Sequence, residues 1–134
     1  MKISELKTFI HEGKLDDKLI ELYGEKALDA QKERYAAILD NALQTFSDEE
    51  ARIYSAPGRT EVGGNHTDHQ LGKVLAASLN LDVVACVIPT DDNIVTYASK
   101  GYNVNPVDVS DITIHEEEKN STEALIRGVA AGLN

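Results

Sequence analysis

The sequence has no tryptophan, two phenylalanines, three prolines and a single cysteine in 134 residues. One cysteine, Cys86, excludes an internal disulfide, and its place in an apolar run makes it a small core residue. Nor is there an early apolar run: Met1-Lys2-Ile3-Ser4-Glu5 does not open a secretory signal. No stretch approaches the roughly 18 apolar residues of a membrane span. Together these set the expectation of a cytoplasmic protein without a membrane partner. Positive charge is scarce as well. Thirteen Lys and Arg stand against 23 Asp and Glu, a formal net charge of −10. Such a surface repels phosphate backbones, so nucleic acid is not an expected partner. What is present suits a globular chain: 42% of residues are hydrophobic and 27% charged, enough apolar material for a core.

The first 50 residues read as a helical arm. Ser4 is placed to cap a helix through Glu12, with Gly13 as its stop. A second helix is expected from Asp16 to Tyr23, ending at Gly24. The longest runs from Glu25 to Phe46, where Leu28, Tyr35, Ile38, Leu39, Ala42, Leu43 and Phe46 recur at helical spacing. After residue 50 the texture changes. Residues 52–56 read as a short strand that stops at Pro57-Gly58. Residues 81–88 (LDVVACVI) read as a strand buried on both faces. With 94–98 they suggest a β-hairpin across the Pro89-Thr90-Asp91-Asp92-Asn93 turn. Residues 102–120 suggest extended structure and a solvated Glu116-Glu117-Glu118 loop. Ser121 caps a last helix from Thr122 to about Ala131, with Leu125, Ile126 and Val129 as its apolar face. The expected class is α+β: an N-terminal helical arm, a mixed sheet and one packing helix.

Chemistry concentrates in residues 56–72. Arg59, Glu61, Asn65, His66, Thr67, Asp68, His69 and Gln70 crowd a glycine-rich loop between apolar strands. Glycines let the backbone turn sharply and approach a ligand. A carboxylate, an imidazole and an amide presented together suit a polyhydroxylated ligand, because each sugar hydroxyl both donates and accepts. An ordinary polar turn holding an Arg–Asp pair is the plain alternative.

This stretch resembles the galactokinase signature, Gly-Arg-x-Asn-x-x-Gly-Glu-His-Thr-Asp-Tyr preceded by Ala-Pro. Ala56, Pro57, Gly58, Arg59, Gly64, His66, Thr67 and Asp68 match in register, and Gly72 with the following Val74-Leu75 fits the entry into the next strand. Residues 124–132 are similar to the family's helix ahead of its phosphate-binding loop. The resemblance implies a partial N-terminal domain of the galactokinase-type (ribosomal protein S5 domain 2-like) fold over residues 51–134, incomplete at its C-terminus. It implies transfer of the ATP γ-phosphate to the anomeric hydroxyl of galactose. It places Arg59 beside the transferred phosphoryl group, where a guanidinium stabilises negative charge. It makes His66 and Asp68 sugar contacts, with Asn65, Thr67 and Glu61 beside them. Asp68 is the main one, a carboxylate able to accept from two adjacent hydroxyls.

Three positions depart from the pattern. Glu61 stands for the family Asn, Asn65 for the family Glu, and His69 for the Tyr. The first two exchange a carboxylate and an amide, which suggests a coupled pair and leaves a related hexose or an amino sugar open beside galactose. The family's Gly/Ser-rich phosphate loop is absent from the sequence, as is a Walker pattern. ATP and Mg2+ are therefore expected only with a full-length parent, and these 134 residues are expected to be an inactive N-terminal piece with no cofactor of their own. Surfaces uncovered by truncation would favour a homo-oligomer. Two other readings compete. A sugar-binding or sensor module would use the same loop without catalysis. A zinc hydrolase is suggested by His66-x-Asp68-His69, which resembles part of a His-x-His-x-Asp-His loop. Gly64 occupies the first ligand position, however, so no metal site is expected.

Overall fold

A computed structural model describes residues 1–64, 67–102 and 105–133, and of Asp68 the backbone only. The chain divides into two compact units, Met1–Ile88 and Pro89–Asn134.

In the first unit, α1 spans Ile3–His11. Lys2, not Ser4, is its cap residue, and the Glu5 carboxylate accepts from the Lys2 N–H at 3.0 Å. Ser4 lies inside the first turn. Its N–H and hydroxyl both donate to Asp48 at 2.8 Å, which ties the helix start to the chain beyond α3. Helix α2 spans Asp16–Tyr23 and meets Gly24 at φ 84°, a left-handed position that favours glycine. A 3-10 turn over Glu25–Ala27 leads into α3, Leu28–Phe46. The stripe read for α3 supplies Tyr35, Leu39 and Ala42 to the core, where they are buried together with Ile3, Ile10, Leu19 and Ala51.

The sheet of this unit departs from expectation. Strand β1 spans Arg52–Gly63 and β2 spans Leu75–Val87, paired antiparallel. Strand β1 therefore runs through Pro57-Gly58 instead of stopping there. A proline is tolerated because β1 has a free edge. Pro57 faces Asp82 and Arg59 faces Ser78, so β2 bulges outward opposite Gly58. A Cβ on Gly58 would lie 3.1 Å from the Leu81 carbonyl oxygen, close enough that glycine suits the bulge. The expected 81–98 hairpin does not form. Strand β3, Ile94–Val95, pairs instead with β4, Val107–Asp108, in the second unit. Among the described residues both sheets are two-stranded and antiparallel, so the mixed sheet is corrected too. The two-faced burial of 81–88 is likewise half right. Ile53, Val84, Cys86 and Ile88 pack against the helical core. On the other side Tyr54, Val83 and Val87 are exposed.

In the second unit, α4 spans Thr122–Leu133, and the Ser121 hydroxyl accepts from the Ala124 N–H at 3.2 Å as expected of a cap. Glu116–Glu118 form a 3-10 turn. Of the expected apolar face of α4 only Ile126 is half-buried; Leu125 and Val129 are 68% and 56% exposed, and Arg127 is buried instead. Burial of a guanidinium requires that its donors be used. Arg127 donates through Nε and Nη2 to Glu118 at 2.9 and 2.7 Å, and through Nη1 to the carbonyls of Asp108 (2.7 Å) and Asp111. This knot outranks the hydrophobic stripe because it closes three chain segments at once.

Asp111 extends the knot. The hydroxyl and N–H of Thr113 donate to it, and His115 Nε2 lies 3.0 Å from it. Chiefly through the Thr113 bonds, its carboxyl is lowered to about 2. A folded value below the unfolded one stabilises above the ordinary carboxylate range and is lost as pH falls. The Thr113 amide resonance should therefore titrate with a midpoint near 2, well below the ordinary 3.8. Asp111→Asn should flatten that titration. A Thr113 amide indifferent to pH around that midpoint would contradict the assignment.

Candidate functional site

The signature segment starts on β1, where Arg59 and Glu61 are alternate residues and share a face. Their cross-strand partners are Ser78 and Ala76, and both lie open to solvent. The strand ends at Gly63. Gly64 then adopts φ 106° and turns the chain. Thr67 is the hub of the loop. Its N–H donates to the Gly64 carbonyl at 3.1 Å, and its own carbonyl accepts from Gln70 at 3.0 Å and Gly72 at 2.7 Å. Asp68–Gln70 form a 3-10 turn, Leu71 takes φ 62°, and β2 begins at Leu75.

Two glycines make this closure possible. A Cβ on Gly64 would stand 2.6 Å from the Lys73 carbonyl oxygen and 2.8 Å from Val74 Cα. A Cβ on Gly72 would stand 2.4 Å from both Cβ and Oγ1 of Thr67. The loop is thus a tight backbone knot at the tip of a ribbon, with Thr67 half-buried inside it. Of the residues expected to act, Arg59, Glu61 and Thr67 fall on this hairpin and its tip. Asn65 and His66 lie outside the described residues, as does the side chain of Asp68. The suggested Glu61–Asn65 pairing therefore has no geometry to report. His69 is exposed within the 3-10 turn. Among the described residues, no three His, Cys, Asp or Glu are grouped to hold a metal ion. A cleft of about 320 Å³ lies in the second unit, lined by Ile112, Ile114, His115, Ala124 and Gly128 among others, and contains none of the expected site residues.

A cluster at the base of the hairpin escaped the sequence reading. The Asp82 carboxylate, whose side chain is only 3% exposed, accepts from Arg34 Nη1 at 2.7 Å, from the Tyr23 hydroxyl at 2.5 Å and from the Ser55 hydroxyl at 2.5 Å. Arg34 Nη2 also donates to the Asp82 carbonyl at 2.8 Å. The hydroxyls of Tyr23 and Tyr35 lie 2.8 Å apart. Burial alone would push the Asp82 carboxyl up. The bonds from Ser55, Tyr23 and Arg34 outweigh it and hold the group below its ordinary value. Burial, then the Tyr23 bond, push the Tyr35 hydroxyl well up. One signal was available: Asp82 is the single charge within LDVVACVI, and a charge inside an apolar strand requires partners.

No solved structure matches the chain, and no described helix is long and apolar enough to cross a membrane. One family model does match, over residues 43–89. That span takes in the end of α3, all of β1, the glycine-closed loop and all of β2. Over residues 43–89, therefore, the chain carries the galactokinase galactose-binding signature.

Proposed function

We propose that this chain is the N-terminal, sugar-binding part of a galactokinase-like protein, with galactose as its ligand. The single observation behind the reading is the signature match over residues 43–89, whose loop closes between Gly64 and Gly72 through Thr67. In this reading residues 1–50 form the arm and 51–134 the galactokinase N-terminal domain. Asp68 accepts from adjacent sugar hydroxyls, and Glu61, Asn65, His66 and Thr67 complete the polar set. Arg59 stands ready beside a transferred phosphoryl group. ATP and Mg2+ belong to a full-length parent. The family's Gly/Ser-rich phosphate loop is not among these residues, so no phosphoryl step is assigned to them. A sugar-binding or sensor module that uses the same loop without catalysis is the second reading. A cytoplasmic setting and self-association of the chain through the exposed side of the sheet complete the proposal.

Calorimetry with galactose tests it. The wild-type chain should bind, and Asp68→Ala should weaken binding by about 1.5–3 kcal/mol, the loss of a charged hydrogen bond. A folded wild-type chain that gives neither heat nor shifted resonances with millimolar galactose sinks the reading. Equal affinity of the two proteins removes Asp68 from it.

A further inference from the structure

The inward side of β2 touches the helical arm over only part of its length. Val84, Cys86 and Ile88 pack on the core. Asp82 is the next inward residue toward the tip, and from Leu81 back to Leu75 every residue is exposed. On the paired strand, the residues from Ala56 to Gly63 are exposed as well. Asp82 is therefore the last point at which the hairpin is held before it projects into solvent. It is held from three elements: Tyr23 at the end of α2, Arg34 on α3 and Ser55 on β1. Arg34 grips both the carboxylate and the carbonyl of the same residue, which fixes backbone as well as side chain. The partner of Asp82 across the ribbon is Pro57, two residues before Arg59, and the bulge begins there.

We propose that Asp82 is a positioning residue: through Arg34 and Tyr23 the helical arm sets the direction in which the hairpin carries Arg59, Glu61 and the sugar loop. The described residues of the ribbon beyond Asp82 are exposed on both faces, so a change of tilt at Asp82 displaces the tip as a lever displaces its end. The affinity part of this inference rests on the sugar-binding reading above. The direction part does not.

Spin labels at Gln44 on α3 and Thr60 on β1, in a Cys86→Ala background, read the direction itself. The parent should give one narrow distance distribution. Asp82→Asn should broaden it at least twofold and weaken galactose binding about tenfold, a 1.4 kcal/mol change. Val84→Ala, which trims the neighbouring inward contact without touching the polar cluster, should destabilise yet leave the distribution narrow. Arg34→Lys keeps the charge but not the two-pronged grip and should broaden the distribution partway; it carries the test if Asp82→Asn does not fold. Equal distributions in the Asp82→Asn and Val84→Ala proteins overturn the inference and leave Asp82 a purely stabilising residue. Broadening with unchanged galactose affinity overturns its link to the ligand. If the wild-type chain takes no galactose, the sugar reading fails and the distance distributions alone decide the role of Asp82.

Discussion

Gly72→Ala is expected to abolish galactose binding, with at least about a hundredfold loss, while helix content stays near wild type. The argument is steric. The added Cβ would stand 2.4 Å from Thr67 Cβ and Oγ1 and 2.7 Å from the Thr67 carbonyl oxygen. Side-chain rotation relieves the Oγ1 contact but neither of the other two. The Gly72 N–H also donates to that same carbonyl at 2.7 Å, so moving the chain away breaks the bond that closes the loop. Gly64→Ala should act in the same direction, because φ 106° and a 2.6 Å approach to the Lys73 carbonyl oxygen oppose it together. Gly63→Ala is the control. Its Cβ would meet nothing within 4 Å, and galactose affinity should stay within about threefold of wild type. Calorimetry with circular dichroism on the three variants checks the set. Gly72→Ala binding as well as Gly63→Ala would show that the closed loop is not what the ligand requires.

The second large effect is on stability. Leu39 is fully buried at the centre of the helical core, and Leu39→Ala should destabilise the first unit by about 3–5 kcal/mol through lost transfer energy and the cavity left behind. Single domains have total stabilities of about 5–15 kcal/mol, so much of the arm's helix signal should disappear at modest urea concentration. Leu125→Ala makes the contrast. It changes a leucine that periodicity assigns to a core face, yet this side chain is 68% exposed. The expected change is within about 0.5 kcal/mol. Urea titrations of both variants would separate the two environments, and similar losses would contradict the burial described.

Those two leucines also show where sequence reading succeeds and where it stops. Helices α2 and α3 were legible because a 3.6-residue stripe and the glycine after α2 are local signals. The buried residues Tyr35, Leu39 and Ala42 come directly from that stripe. Helix α4 carries an equally good stripe, but Arg127 bonds Glu118 and the carbonyls of Asp108 and Asp111, and that network leaves Leu125 and Val129 outward. Such partners are set by tertiary structure and leave no period to read. The strands failed for a related reason. Residues 81–88 and 94–98 are near neighbours with a turn between them, so a hairpin was the natural expectation. The actual partner of β2 lies on the far side of the signature loop, and only the glycine-closed knot brings it there. Pro57 looked like an end because a proline halts a central strand, whereas β1 is an edge. At the site, the motif marked residues 56–72 as a loop, and the family model matches over residues 43–89; the pairing of 52–63 with 75–87 that carries Arg59 and Glu61 was not legible in it. Asp82 belongs to no motif. Its lone charge within an apolar run called for partners, but which ones, among them Tyr23 and Arg34, 59 and 48 positions earlier in the chain, was set by tertiary structure.

The proline in β1 has a consequence for how this protein would misassemble. A two-stranded ribbon offers two outer rims to other molecules. Along β1, Pro57 has no N–H to give, so any intermolecular ladder built on that rim lacks a rung. Strand β2 contains no proline from Leu75 to Val87, and most of its side chains are apolar. Cross-β stacking of this chain into fibrils would therefore nucleate on the β2 rim, and a proline or lysine placed there is the substitution that would keep concentrated solutions clear.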